Sequence, residues 1–234
     1  MGAGFSPRRR IVLAVSAFAL AASAERPAAA EGRLKLDLDI PLTTVAAHPQ
    51  KFHPRLMLRT EQRFRDQGLV YFKLFAGIRG DLSRSLMFQT YYAHKDLMYA
   101  GHREKHVLVA DLIPHRRFGR LTLADRNGAE WHITDGFFRY RNKLIAKIDT
   151  GISWLDLWLA EELRFDFDQG RLNMVDIQAG VVVHPIPALR VLLYYDRELK
   201  RRSLRRWRKT DVIAVFLAVR LGSGGEEPRP VDHS

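Results

Sequence analysis

FFRYRNKLIAKI, residues 137–148, sets Arg139, Arg141, Lys143 and Lys147 on odd positions and Phe138, Tyr140, Leu144, Ala146 and Ile148 on even ones. In an extended chain successive side chains point to opposite faces, so the segment reads as a strand with one cationic face and one apolar face.

The same period of two recurs along the chain. In RLMLRTEQRFR, Leu56, Leu58 and Phe64 oppose Arg55, Arg59, Glu61, Arg63 and Arg65; in LVYFKLFAGIR, Val70, Phe72, Leu74, Ala76 and Ile78 oppose Lys73 and Arg79. In SWLDLWLAEELRFDFD, Leu155, Leu157, Leu159, Leu163, Phe165 and Phe167 oppose Asp156, Glu162, Arg164, Asp166 and Asp168, whereas DVIAVFLAVRL is apolar on both faces. The pattern predicts about ten strands, at 55–65, 69–79, 85–94, 104–113, 120–133, 137–149, 153–168, 171–184, 188–199 and 211–221. RLKLDLDI, 33–40, is a possible further strand, which makes the range eight to twelve. Asn127-Gly128 is a strong hairpin signal that could divide the fifth strand. Turn residues at Asp149-Thr150-Gly151, Asp168-Gln169-Gly170 and His184-Pro185-Ile186-Pro187 punctuate the runs, and no convincing helical pattern separates them. The expected fold is all-β, an antiparallel up-and-down barrel.

Parity sharpens one pairing. If the odd-numbered cations of 139–147 share a face with the even-numbered acids of 156–166, the connecting loop contains an even number of residues, which a two-residue turn at Thr150-Gly151 satisfies. Register sums of about 301 to 303 then place Glu162 opposite Arg139 or Arg141.

Residues 1–30 read as an export signal: a basic Arg8-Arg9-Arg10, an apolar Ile11–Ala24, and cleavage signals ending at Ala24 and Ala30. An N-terminal membrane anchor is the alternative, but the apolar run is shorter than the roughly 20 residues a spanning helix needs. Removing the three arginines lowers the +12 net charge to about +9, which points to anionic partners; for an exported chain these are lipid phosphates, not nucleic acid. Cysteine is absent, which excludes disulfides, thiol nucleophiles and Fe-S clusters. After residue 30 no stretch approaches 18 consecutive apolar residues, so a membrane could be crossed only by strands.

A soluble barrel or sandwich alternates too, with its apolar face inward. Two features favour the reverse: bulky apolar rows on nearly every strand, and polar rows whose Arg, Asp and Glu could neutralise one another inside a barrel. Counting back from a last strand that ends in the periplasm, the longer segments 95–103 and 200–210 fall on the outer side, as in outer-membrane barrels.

The chain also resembles an uncharacterised group of bacterial outer-membrane β-barrels known only as a domain of unknown function. The resemblance rests on Arg59-x-Glu61-x-Arg63, on Gly119 to Leu123 leading to Arg126 and Glu130, on the Arg139-Tyr140-Arg141 strand with its Glu-bearing partner, and on Phe167-Asp168-Gln169-Gly170-Arg171-Leu172. It implies the barrel and the outer membrane as location, and no activity. Such barrels usually end on an aromatic residue, whereas here the last strand ends at Leu221 and a polar tail runs to Ser234.

The charged rows, Arg59, Glu61, Arg63, Arg126, Glu130, Arg139, Arg141, Lys143, Glu162, Arg164 and Asp166, are the candidate lumen network. They would form either a narrow anion-preferring channel or, as expected for a barrel little wider than eight strands, a salt-bridged plug. A cationic segment holding Lys200, Arg201, Arg202, Arg205, Arg206, Arg208 and Lys209 is a candidate contact for lipid or lipopolysaccharide phosphates, with Trp207 at the interface. The barrel-assembly machinery is the other expected partner. His102-Arg103-Glu104-Lys105-His106 lacks the zincin order, and positions four apart on a strand are ~13 Å from each other, so no metal is expected there. Neither a Gly-x-Ser-x-Gly elbow nor a phosphate-cradling glycine loop is present; no catalytic residue and no cofactor are assigned.

Overall fold

A computed structural model describes residues 31–42, 54–66, 68–98, 102–201 and 206–221. Within them the chain forms eleven strands: β1 (Glu31–Pro41), β2 (Arg55–Arg65), β3 (Gly68–Ser83), β4 (Leu86–Leu97), β5 (Arg103–Phe118), β6 (Leu121–His132), β7 (Phe137–Ile152), β8 (Leu155–Asp166), β9 (Arg171–Ile186), β10 (Leu189–Arg201) and β11 (Trp207–Arg220). Each pairs with its sequence neighbour, and β1 closes on β11 to complete a barrel. The export signal and the polar tail lie outside the described residues.

The possible further strand at 33–40 is an integral one, which makes eleven, within the expected eight to twelve, and the wall runs from Glu31 to Arg220. The expected all-antiparallel pairing is corrected at one seam. An up-and-down sheet with an odd number of strands can only close with its first and last strands parallel, and β1 and β11 are parallel, from Glu31 opposite Val212 to Asp39 opposite Arg220. Parallel pairing is slightly weaker per residue, and here ion pairs reinforce it. Small inward side chains on β11, Val212 and Ala214, let Arg33 of β1 and Arg63 of β2 reach across that strand to β10. Arg33 donates from Nη1 to Asp196 at 2.8 Å and from Nη2 to Glu198; Arg63 Nη2 donates to Glu198 at 2.8 Å.

The connections are asymmetric. One end of the barrel carries the two-residue turns after β3, β5, β7 and β9; the other carries the longer connections 98–102, 133–136, 167–170 and 202–206. Two connections break the pattern: 42–54 is long and joins β1 to β2 at the turn end, and 66–67 is two residues and joins β2 to β3 at the loop end. The hairpin of β7 and β8 turns at Ser153-Trp154, not at Thr150-Gly151. Those two residues form a bulge between Asp149 and Ile152 in which Gly151 adopts a φ of 81°, and Thr150 Oγ1 donates to the Leu155 carbonyl at 2.6 Å. The even spacing, and with it the shared face, is preserved, but the register moves: Glu162 lies opposite Lys143, Asp166 opposite Arg139, and Arg164 opposite Arg141.

Asn127-Gly128 is not a hairpin; both residues sit within β6. Gly128 lies between Asp111 of β5 and Arg141 of β7, and those two side chains meet over it at 3.0 Å. A Cβ at 128 would strike the Asp111 carboxylate. The device recurs. Gly180 of β9 lies between Trp158 of β8 and Tyr194 of β10, whose rings approach to 5.3 Å, and Gly77 of β3 lies between the buried Met57 of β2 and Tyr91 of β4. A Cβ at Gly180 would stand 2.6 Å from Tyr194 Cβ. Gly180→Ala is therefore expected to destabilise the barrel by roughly 1–3 kcal/mol through overpacking, read as a lower urea midpoint in detergent; an unchanged midpoint would show that the rings do not need the gap.

Candidate functional site in the lumen

The inward rows divide the interior along its axis. Toward the turn end the filling is apolar on the β4–β11 side, with Trp158, Phe216, Leu192, Val182, Met87, Ile113 and Ile145 all buried, and ionic on the β1–β3 side, around Asp37 and Asp39. Toward the loop end it is ionic. The outward rows are the opposite: Leu36, Leu74, Ile78, Leu108, Leu112, Phe138, Leu144, Leu157, Leu159 and Ile177 are exposed all round the closed sheet. Phe138, Tyr140, Leu144, Ala146 and Ile148 point out, and Arg141 and Lys143 are buried inside. Asp125, Asn127, Asn142 and Tyr140 interrupt the outer surface and hydrogen-bond one another, Asn142 Nδ2 donating to Asp125 at 2.6 Å.

All eleven predicted lumen residues are brought inside, each with a partner. Arg126 donates twice to Asp111 Oδ2, at 3.0 and 2.7 Å, and Arg141 reaches Asp111 Oδ1 at 3.0 Å and Glu130 at 3.2 Å. Arg139 lies between Glu130, at 3.8 Å, and Asp166, at 3.9 Å. Glu162 takes Arg164 at 2.6 Å and Lys143 at 3.8 Å, while Lys143 also sits over the Trp158 ring. Arg59 pairs with Asp37 at 2.7 Å, Arg63 with Glu31 and Glu198, and Glu61 accepts from Tyr71 and faces Arg33 at 3.4 Å. The expected pairing of Glu162 with Arg139 or Arg141 is replaced by Arg164 and Lys143 because of the register shift.

The most deeply placed carboxylates were missed from the sequence: Asp111 is 1 % exposed, Asp196 0 % and Glu198 1 %. Extending the face of each alternating run to its full length would have found them. So would it have found Asp37 and Asp39, which hold Arg59, Arg79, Arg55 and Arg220 near the turn end.

At the loop end the filling is incomplete. A cavity of about 440 Å³ is lined on one side by Lys73, Lys95, Arg103 and Lys105 and on the other by Arg139, Arg141 and Arg164, with Glu130 and Asp135 as its carboxylates. Its apolar wall is Phe75, Tyr91, Ala93, Leu97, Val107, Val109 and Phe137. Asp135, in the 133–136 turn, accepts from Lys105 at 2.5 Å, and that hydrogen bond holds its carboxyl below the usual range.

The cationic segment is split by the strand parity. Lys200 turns inward to Glu198 at 2.7 Å; Arg201 lies over the Trp207 ring; Arg206 and Lys209 are exposed and Arg208 is half-buried. Arg202 and Arg205 lie outside the described residues. His102 stands apart, near Asp96 at 3.3 Å. His106 instead faces His94 across β4 and β5, and with Glu104 their ligand atoms lie within 4.8 Å of one another on the outer surface, although Tyr92 already bonds His106 Nδ1 at 2.5 Å. Asp176, Asp196 and Glu198 form a second such cluster in the lumen, where Arg33, Arg63 and Lys200 supply the counter-charge.

Comparison with protein-family models, curated proteins and solved structures finds no match.

Removing Asp111 leaves Arg126 and Arg141 buried without their shared partner. Asp111→Leu should cost on the order of 3–5 kcal/mol, seen as loss of the compact, heat-modifiable band on a gel. Adding Arg126→Leu should recover part of it, since the guanidinium left without Asp111 is then removed while Arg141 keeps Glu130.

Proposed function

We propose that this chain is an outer-membrane β-barrel with a structural, lipid-contacting role and a largely plugged lumen, and that it belongs to the uncharacterised group it resembles. One observation carries the reading: bulky apolar side chains are exposed all round a closed sheet whose charges are inside. A barrel in water turns its leucines and phenylalanines inward, whereas a lipid-embedded one presents an apolar band and keeps a polar interior. Strands of 11 to 16 residues exceed the ~10 needed to cross a bilayer. Aromatic side chains cluster near the loop end, Trp131 stacked on Phe138 at 5.7 Å and Phe165 beside Phe167 at 5.5 Å, as at a membrane interface. The exposed Arg206 and Lys209, with Arg201, Arg202, Arg205 and Arg208, would meet lipopolysaccharide phosphates there. Insertion would use the barrel-assembly machinery, after export directed by residues 1–30.

A narrow anion-preferring pore is the second reading, favoured by the cationic cavity and opposed by the apolar filling of the turn end. Planar-bilayer recordings should give no conductance steps; anion-selective steps would establish the pore instead.

Leu159 is 47 % exposed in the middle of β8. Leu159→Arg should cost roughly 2–4 kcal/mol when the barrel is folded in lipid vesicles and stay within ~0.5 kcal/mol if that face meets water. A variant as stable as the parent, recovered in the carbonate-soluble fraction, would assign the chain to the soluble periplasmic ligand-binding barrels.

A further inference from the structure

Three lysines stand directly opposite one another on neighbouring strands: Lys73 of β3 faces Lys95 of β4, which faces Lys105 of β5. Lys105 is neutralised by Asp135. Among the described residues, neither Lys73 nor Lys95 has a carboxylate oxygen within 4.0 Å; both lie over the Tyr71 ring, Lys95 at 4.4 Å and Lys73 at 5.6 Å. Like charges at directly opposed positions destabilise a sheet. Glu61, directly opposite Lys73 on β2, is the one carboxylate of this cross-strand row, and Tyr71 and Arg33 share it. The cavity beside the lysines carries seven cations against two carboxylates.

We propose that this cavity binds a water-borne organic anion, a phosphomonoester or carboxylate on a small apolar body, with the charged head between Lys73 and Lys95. Two lysines with no carboxylate oxygen within ion-pair distance supply the attraction for the head. Phe75, Ala93, Leu97, Val107, Val109 and Phe137 supply a wall for the body. The volume of about 440 Å³ is that of a small-molecule site. Entry is from the loop end, where Arg103 lines the cavity with its side chain 62 % exposed. A lipid tail cannot enter sideways, because the ladders from β3 to β8 are unbroken beside the cavity and only inward and rim residues line the space. The inference stands on the lumen alone and holds whichever solvent the outer face meets.

The test is calorimetric titration of the full-length protein in a non-ionic detergent with phenyl phosphate, inorganic phosphate and benzyl alcohol. Phenyl phosphate should saturate at one per chain; inorganic phosphate should bind roughly tenfold or more weakly for want of the apolar contact, and benzyl alcohol not at all. Lys73→Met with Lys95→Met should lower the affinity for phenyl phosphate at least roughly tenfold. The same double variant, freed of the like-charge pair, should melt at a higher temperature than the ligand-free parent. No binding of either phosphate, undiminished binding by the double variant, or a lower melting temperature for it would overturn the proposal. Competition by phosphatidic acid added to the micelles would overturn the water-borne assignment and give the site to a lipid headgroup.

Discussion

Closing the sheet consumes the backbone donors and acceptors of the wall, so a charge that points inward must be answered by another inward side chain. The rest of the structure follows from this constraint. Its sharpest expression is at the seam between β1 and β11, where Glu198 of β10 is shared by Arg33 of β1, Arg63 of β2 and Lys200. The parallel ladder at that seam is the weakest geometry in the barrel, and the guanidinium groups that bridge it pass over β11 where its inward side chains, Val212 and Ala214, are small. Charge held on β1, β2 and β10 thus sets the side-chain size at two positions of the strand between them.

The same constraint explains why the two ends differ. Apolar side chains can fill a cross-section without regard to pairing, and at the turn end Trp158, Phe216 and Leu192 do so. Ionic side chains need partners at fixed distances, and a row of them around eleven strands rarely closes in both geometry and charge. At the loop end the mismatch is left as open volume and an excess of cations. Space and excess charge occur together because they have one origin.

Most of the wall was legible in the sequence, since a period of two needs no tertiary information. Strand positions, the inward row of FFRYRNKLIAKI and all eleven network members follow from parity. Register was less accessible. The bulge at Thr150-Gly151 uses residues that also make good turns, and only the competing bond of Thr150 Oγ1 to Leu155 decides between them. Closure by β1 could not be read because RLKLDLDI is no different in pattern from an edge strand, and the parallel pairing depends on the strand count as a whole. Asn127-Gly128 misled for a related reason: a glycine chosen for its positive φ and one chosen for its missing side chain look alike until the flanking strands are placed.

Those mid-strand glycines carry a consequence for how the wall is put together. Asp111 with Arg141 and Trp158 with Tyr194 are contacts between strands that are not neighbours, each formed across an intervening residue without a side chain. A hairpin can complete its backbone ladder with two strands, yet neither of these contacts exists until a third is docked. The elementary cooperative unit of this barrel is accordingly a triplet of strands. Shear between adjacent strands is resisted by side chains that span two ladders at once, which makes the cylinder stiffer than its pairwise hydrogen bonds alone would make it.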